Sequence, residues 1–203
     1  MVDTSPLIGV LALQGGFALH VKILRDLGAE VREVRTPADL EGLDGLVMPG
    51  GESTTMTLGI EREGLAGPLG DLVRAGTPVL GTCAGLIMLD REHLGLLDVR
   101  AQRNAFGRQL HSFETDLEID GDAVRAVFIR APWIAEHGDG VEVLAEVEGH
   151  PVAVRQGAVM AVSFHPELAG ETRLHERFLA AIRQGATGAD AARTASPGRP
   201  GTA

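Results

Sequence analysis

At 203 residues with 44% hydrophobic content, the chain is long enough to bury the core of one globular domain and too short for a second full one. Eighteen Lys and Arg against 28 Asp and Glu give a formal net charge of −10, which repels phosphate backbones and anionic headgroups and speaks against a nucleic-acid or membrane-surface binder. With 3% aromatic residues and one Cys, the composition also excludes a stacking platform for single strands, an internal disulfide framework and a zinc ribbon or iron–sulfur cluster.

The N-terminal Met1-Val-Asp-Thr-Ser-Pro6 has no basic segment leading into an apolar stretch, and no apolar run is long enough to span a bilayer, so a soluble cytoplasmic protein is expected. Leu7 to Leu13 reads as a strand buried on both faces and stopped by Gln14-Gly15-Gly16. Phe17, Val21, Leu24 and Leu27 follow at helical spacing, with Gly28 as the terminator. Further strands are predicted at Val31–Val34, Gly45–Met48 and Pro78–Gly81, with helices near residues 54–63, 65–75 and 84–91. This alternation is the mark of an α/β fold: three layers, a mostly parallel sheet flanked by helices.

After residue 112 the segments become shorter and alternate: Phe113–Ile119, Val124–Arg130, Val141–Val147, Val152–Arg155 and Val159–Phe164 read as strands and hairpins, some of them antiparallel. Thr172 to Arg183, with Leu174, Phe178, Leu179 and Ile182 on one side, reads as a closing helix. Residues 1–185 are thus expected to form one domain. Residues 186–203, rich in Ala, Gly, Thr, Ser, Pro and Arg, are expected to be a disordered tail.

Pro78-Val-Leu-Gly-Thr-Cys83-Ala-Gly85 runs from a strand into a helical pattern through Gly-x-Cys-x-Gly, the context of a nucleophile elbow, where flanking residues must be small because strand and helix backbones approach closely. A helix starting after Cys83 points its N-terminal dipole at the sulfur and favours thiolate. An unperturbed thiol of pKa ~8.5 is only about 3% ionised at pH 7, so a base is still needed. A lone cysteine is otherwise a small buried hydrophobe, and serine hydrolases and redox-sensing cysteines share the elbow; alone it points to a nucleophile and not to a reaction.

A base is offered by Ala161-Val-Ser-Phe-His165-Pro166-Glu167, where Pro166 sets the backbone so that Glu167 turns back to orient the imidazole. His20, His93, His111, His137, His150 and His175 are read as structural or solvated, and no metal is expected because none of them has a tight ligand spacing. Pro49-Gly50-Gly51-Glu52-Ser53-Thr54-Thr55 ends a strand and opens a helix. It reads either as an oxyanion hole of backbone N–H groups or as a plain turn capped by Ser53 or Thr54. It lacks the Gly-Lys-Ser/Thr ending of a phosphate loop.

Together, Gly81-Thr-Cys83-Ala-Gly85, His165-Pro-Glu167 and Pro49-Gly-Gly51 resemble the class I glutamine amidotransferases. More narrowly, Leu11–Gly15, Pro49–Met56, Arg103-Asn-Ala-Phe-Gly-Arg-Gln109, Phe128-Ile-Arg-Ala-Pro132 and Ser163–Leu168 resemble the glutaminase-subunit family of pyridoxal 5′-phosphate synthase, over approximately residues 7–184. The resemblance implies Cys83 as nucleophile, His165 as general base and acid, and Glu167 as its orienter. It further implies Gly51 and Ala84 N–H as oxyanion donors, and Gly51, Glu52, Ser53, Arg103, Ile129 and Arg130 around L-glutamine. Gln14 matches a position that responds to docking of a separate synthase subunit, the implied partner; no cofactor is implied. The Asp90–His93 connection is shorter than the family's usual loop. The competing readings are an ammonia donor to another biosynthetic route, against which the 103–109 and 128–132 segments speak, and a redox or stress protein with a reactive Cys, which leaves His165-Pro-Glu167 unexplained.

Overall fold

The computed structural model describes residues 5–103 and 112–194. The apolar runs of the first half become β1 (Leu7–Leu11), β2 (Glu30–Val34), β3 (Gly45–Met48) and β4 (Val79–Thr82), with α1 (Phe17–Asp26), α2 (Ser53–Arg62) and α3 (Ala66–Arg74) between them and α4 (Ala84–Leu89) following. The second half supplies β5 (Val99–Gln102), β6 (Ser112–Ile119), β7 (Asp122–Ile129), β8 (Trp133–His137), β9 (Glu142–Val147), β10 (His150–Gln156), β11 (Val159–Val162) and α5 (Arg173–Thr194).

Seven strands form one sheet in the order β2-β1-β3-β4-β11-β10-β9. The pairs from β2 to β11 are parallel, while β10 and β9 extend the sheet antiparallel. Because successive strand residues face opposite sides, the apolar runs feed two cores. Ile8, Val10, Val47 and Leu80 pack with Val21 and Leu24 of α1 and Phe178, Leu179 and Ile182 of α5. Leu11, Leu46, Met48 and Val79 pack with Met56 and Ile60 of α2, Leu69 of α3 and Leu86 to Leu89 of α4. The result is the expected three-layer α/β architecture.

The remaining strands leave the main sheet: among the described residues, β6 pairs only with β7 and β5 only with β8. The β6–β7 and β9–β10 hairpins turn at Asp120-Gly121 and Glu148-Gly149, where all four residues have positive φ, as two-residue hairpin turns of the I′ type require. Phe128 of β7 stacks on Phe113 at 4.5 Å and meets Phe164 at 5.4 Å, so the hairpin is anchored over the end of β11. β5 and β8 were not anticipated from sequence. They are four or five residues long, too short for periodicity to show, and are cross-linked by Arg100–Glu136 at 2.5 Å.

The short connection after α4 is organised by the buried carboxylate of Asp90. It accepts hydrogen bonds from the backbone N–H groups of Glu92, His93 and Ala101 and lies 2.8 Å from His93 Nδ1. At the other end of the chain, α5 runs past Arg183 to Thr194, into the segment expected to lack structure. Ala186, Ala189, Ala191 and Ala192 are strong helix formers and offset the cost of Gly185 and Gly188. Residues 195–203 of the expected tail lie outside the described residues. Among the described residues no helix is long and apolar enough to cross a membrane.

Candidate active site

The sheet order makes β3, β4 and β11 neighbours, and their carboxyl ends deliver Gly50, Cys83 and His165 to one place, the crevice where open α/β sheets bind ligands. At the end of β4, Cys83 adopts φ 48° and ψ −106°, a conformation costly for a residue with a side chain and tolerated where the surroundings enforce it. Those surroundings are tight. A Cβ on Gly85 would overlap the Met48 carbonyl oxygen, and one on Gly81 would stand 2.7 Å from Leu89 Cδ1. This is the elbow geometry that Gly-x-Cys-x-Gly led us to expect.

The Cys83 N–H donates to the Val162 carbonyl at 2.8 Å, and the His165 N–H donates to the Val127 carbonyl at 2.8 Å. β11 is thereby fixed against the elbow on one side and β7 on the other. Pro166 opens a short 3₁₀ turn, Pro166–Ala169, which brings Glu167 Oε1 to 2.7 Å from His165 Nδ1. Burial works against a charged His165, but its hydrogen bonds to Cys83 and Glu167 outweigh it and push its pKa up to about 10. Burial likewise works against the Glu167 carboxylate, yet the hydrogen bond to His165 and the adjacent His20 ring hold it down at about 2. At neutral pH the pair is therefore imidazolium and carboxylate.

These shifts have consequences of opposite sign for stability. Glu167, depressed from 4.5 to about 2, stabilises the fold above pH 4.5 and loses that contribution as pH falls through 2. His165, raised from 6.5 to about 10, stabilises it fully below pH 6.5 and loses that contribution as pH rises through 10. Glu167→Gln is expected to lower the thermal midpoint at pH 6, with the difference from the parent chain shrinking toward pH 2. Melting curves across that range check it, and a pH-independent difference would contradict the assignment.

The Pro49–Ser53 turn completes one wall. Gly50 N–H donates to Thr82 Oγ1 at 3.1 Å, and a Cβ at Gly50 would overlap His165 Cε1 and stand 3.1 Å from Cys83 Cβ. The cap of α2 is neither Ser53 nor Thr54 but Glu52. Its carboxylate accepts from Thr54 N–H at 3.0 Å, Thr55 N–H at 2.7 Å and Thr55 Oγ1 at 2.8 Å. The two backbone bonds and the hydroxyl hold its pKa at about 2 and tie the side chain to the helix, so Glu52 adds backbone rather than a free carboxylate to the cleft. Ser53 Oγ accepts from Arg103 at 3.3 Å.

A cleft of about 420 Å³ opens over these groups, lined by Gly51, Glu52, Ser53, Cys83, Ala84, Arg103, Ile129, Arg130 and His165, and also by Ile87 and Pro132. That volume suits a small molecule. Arg130 is another non-glycine residue at positive φ, 43°. Glu167 sits behind His165 rather than in the cleft. Gln14 lies outside it too, its amide packed on the Cα of Gly51 and donating to the Glu52 carbonyl at 3.2 Å. Residues 104–109 of the Arg103–Gln109 segment, and His111, fall outside the described residues.

Sequence reasoning did not single out Thr82, Ile87 or Pro132, and it placed His20 and His175 with the structural or solvated histidines. Both are fully buried behind Glu167. His20 follows Phe17 by three positions and precedes Leu24 by four, and that place on the buried stripe of α1 was the available signal. His93 stays with Asp90, and His150 stacks on Trp133 at 3.6 Å. Among the described residues no group of three or more His, Cys, Asp or Glu is placed to hold a metal.

Residues 10–184 match the SNO glutamine amidotransferase family. The chain is 52% identical over 192 residues to the pyridoxal 5′-phosphate synthase subunit PdxT of Mycobacteroides abscessus, covering 89% of this chain and 100% of that one. It is also 52% identical over 186 residues to PdxT of Geobacillus kaustophilus, covering 87% and 95%. A solved glutamine amidotransferase superposes with a TM-score of 0.82 at 47% identity, over 86% of this chain and 98% of that one. The structure of PurLQS from Thermotoga maritima superposes with a TM-score of 0.66 at 20% identity, over 81% and 89%, a likeness of fold alone. With the elbow, the His–Glu pair and the glycine turn assembled at the carboxyl ends of neighbouring strands and a family match over residues 10–184, the chain belongs to the SNO glutamine amidotransferase family.

Proposed function

We propose that this chain is the glutaminase subunit of a pyridoxal 5′-phosphate synthase, hydrolysing L-glutamine to L-glutamate and ammonia. The observation that carries the reading is the meeting of Cys83 and the His165–Glu167 pair at the floor of a small-molecule cleft; the PdxT relatives supply the pathway. Cys83 is the nucleophile, His165 the base and acid, and Glu167 the orienter. With the proton of the pair on His165, the sulfur attacks the side-chain amide carbon of glutamine. The oxyanion forms beside the N–H groups of Gly51 and Ala84, a contribution of about 2.7–4 kcal/mol for each donor in sites of this kind. His165 gives its proton to the departing nitrogen, ammonia leaves, and a glutamyl thioester remains. His165 then takes a proton from water, whose oxygen attacks the thioester carbonyl and releases glutamate and the thiolate.

Ser53, Arg103, Ile129, Arg130 and the backbone of Gly51 and Glu52 hold the substrate. Arg103, which donates to the neutral Ser53 hydroxyl, has charge to offer the glutamine α-carboxylate. The partner is a separate synthase subunit, in the cytoplasm, that consumes the ammonia while building pyridoxal 5′-phosphate from ribose 5-phosphate and glyceraldehyde 3-phosphate. Ammonia released into solvent would be protonated, so activity gated by docking makes chemical sense. Gln14, packed on Gly51, is suited to couple docking to the oxyanion turn.

The test is ammonia release from L-glutamine by the purified chain, alone and with the synthase partner. Weak activity alone and a rise of tenfold or more with the partner, on the order of 1.4 kcal/mol in the barrier, is the expected result. Equal turnover in both would remove the gating and return the pathway to open status while leaving the glutaminase intact.

A further inference from the structure

Behind the proposed triad stands a second pair of buried rings. Glu167 uses Oε1 for His165, while its other oxygen, Oε2, has no well-aligned hydrogen-bond partner among the described residues. His20 is the group that reaches it, with Nε2 3.3 Å from Glu167 Oε2 and 3.3 Å from Thr82 Oγ1. Its Nε2 is thus shared between the carboxylate and the hydroxyl that also accepts from Gly50 N–H. On the far side, His20 Nδ1 lies 2.8 Å from His175 Nε2. Neither histidine has any exposed surface. They come from α1 and α5, which cover the same face of the sheet.

The direction of the contact at Oε2 follows from Glu167 being ionised. A carboxylate only accepts, so the ring nitrogen facing Oε2 must carry a proton. On its other side the His20 ring meets His175 through the Nδ1–Nε2 hydrogen bond, whose direction is set by the tautomers of the two rings. Burial and the neighbouring His20 push the His175 pKa down to about 3, against the opposing pull of Glu167 and the Glu171 backbone. The titratable group facing this pair is Glu167 from the 3₁₀ turn, with His165 beyond it; Glu171, just before α5, meets His175 through its backbone and turns its carboxylate to Arg125 and Arg173. Two imidazoles in an apolar layer cost desolvation that Leu or Phe would not. Their contacts are continuous, from α5 through α1 to the carboxylate paired with His165.

We propose that His20, braced by His175, is a positioning residue for the glutaminase reaction, donating from Nε2 to Glu167 Oε2 and so fixing the carboxylate against His165. The proposal rests on the reading of Cys83, His165 and Glu167 as the triad. It predicts an effect on turnover and not on substrate affinity, because neither histidine lines the cleft.

The test compares His20→Leu, which removes the donor, His20→Gln, whose amide N–H lies near the place of Nε2, and His175→Phe, which keeps the ring volume and removes the brace. Each full-length variant is checked by thermal melting, then assayed for glutamine turnover with the synthase partner present and for the pH dependence of Cys83 alkylation by iodoacetamide. Loss of a hydrogen bond to a charged group predicts a fall in kcat of about tenfold or more for His20→Leu, with KM for glutamine within about twofold. His20→Gln is expected within about threefold of the parent chain, and His175→Phe between the two. The acid limb of alkylation moves to higher pH in His20→Leu, because a carboxylate that loses a donor takes up its proton sooner.

Folded His20→Leu or His175→Phe chains with the parental kcat and alkylation profile would overturn the proposal, as would a loss confined to KM. Should His20→Leu fail to fold, His175→Phe decides. A parent chain that releases no ammonia and whose Cys83 reacts no faster than a free thiol would refute the triad itself, and this proposal with it.

Discussion

Replacing Cys83 with Ala is expected to take ammonia release from L-glutamine down to the blank, a loss of roughly five to six orders of magnitude. The chain has one cysteine, so no second thiol can substitute, and the thioester has no other atom on which to form. The fold should survive, because the strained turn is enforced by its neighbours rather than by sulfur: Gly85 lies against Met48, Gly81 against Leu89, and the Cys83 N–H is tied to Val162. The informative companion is Cys83→Ser. A hydroxyl is far too weak an acid to leave its proton on His165, so the serine variant should fall near the alanine one. Assays with the synthase partner present, alongside melting curves, decide the matter. Appreciable turnover by Cys83→Ala would remove the cysteine from the mechanism, and a serine variant with near-parental rates would replace the thiolate–imidazolium pair with a neutral hydroxyl–imidazole one.

Gly50→Ala is expected to lower kcat by about a hundredfold with a small change in thermal midpoint. Gly50 is absent from the positive-φ glycines, so alanine is compatible with its backbone, and the obstacle is space. The added methyl overlaps His165 Cε1 and comes within 3.1 Å of Cys83 Cβ, so the imidazole has to swing away from the sulfur that it is proposed to serve. A displacement near 1 Å in a reacting pair costs on the order of a hundredfold. Gly85→Ala gives the contrast. There the methyl meets the Met48 carbonyl oxygen of β3, and a backbone atom cannot move aside as a ring can, so the expected result is a marked loss of thermal stability or of soluble protein. Steady-state kinetics and melting curves on the two variants separate the cases. Parental kcat in Gly50→Ala would show that His165 can reach the sulfur from a second position.

Local grammar made much of this molecule readable. The strand–glycine–helix transitions at Gly15, Gly50 and Cys83 are contiguous in sequence, and each is constrained by sterics acting over a few residues, so residue type and order revealed them. The His165-Pro-Glu167 pairing was equally legible, since Pro166 and one turn of backbone are enough to fold the carboxylate back to the ring. Short elements such as β5 and β8 were not, because so few residues carry no period, and their strand character comes from pairing with each other. Composition alone also misjudged the end of α5, where the alanines continue a helix already nucleated against the sheet.

The chemistry-bearing side chains, the α/β class and the family resemblance were therefore determined by the sequence itself. What only the tertiary structure decided is which of those side chains meet. Gly50, Cys83 and His165 are brought together because β3, β4 and β11 are neighbours in the sheet, an order that non-local pairing sets. Glu52 is committed to capping α2 instead of facing the cleft with its carboxylate. His20 and His175, 155 positions apart, become a pair behind Glu167 only when α1 and α5 pack on the same face. Sequence spacing carries no information about such contacts, because they form between elements whose adjacency is a property of the folded core.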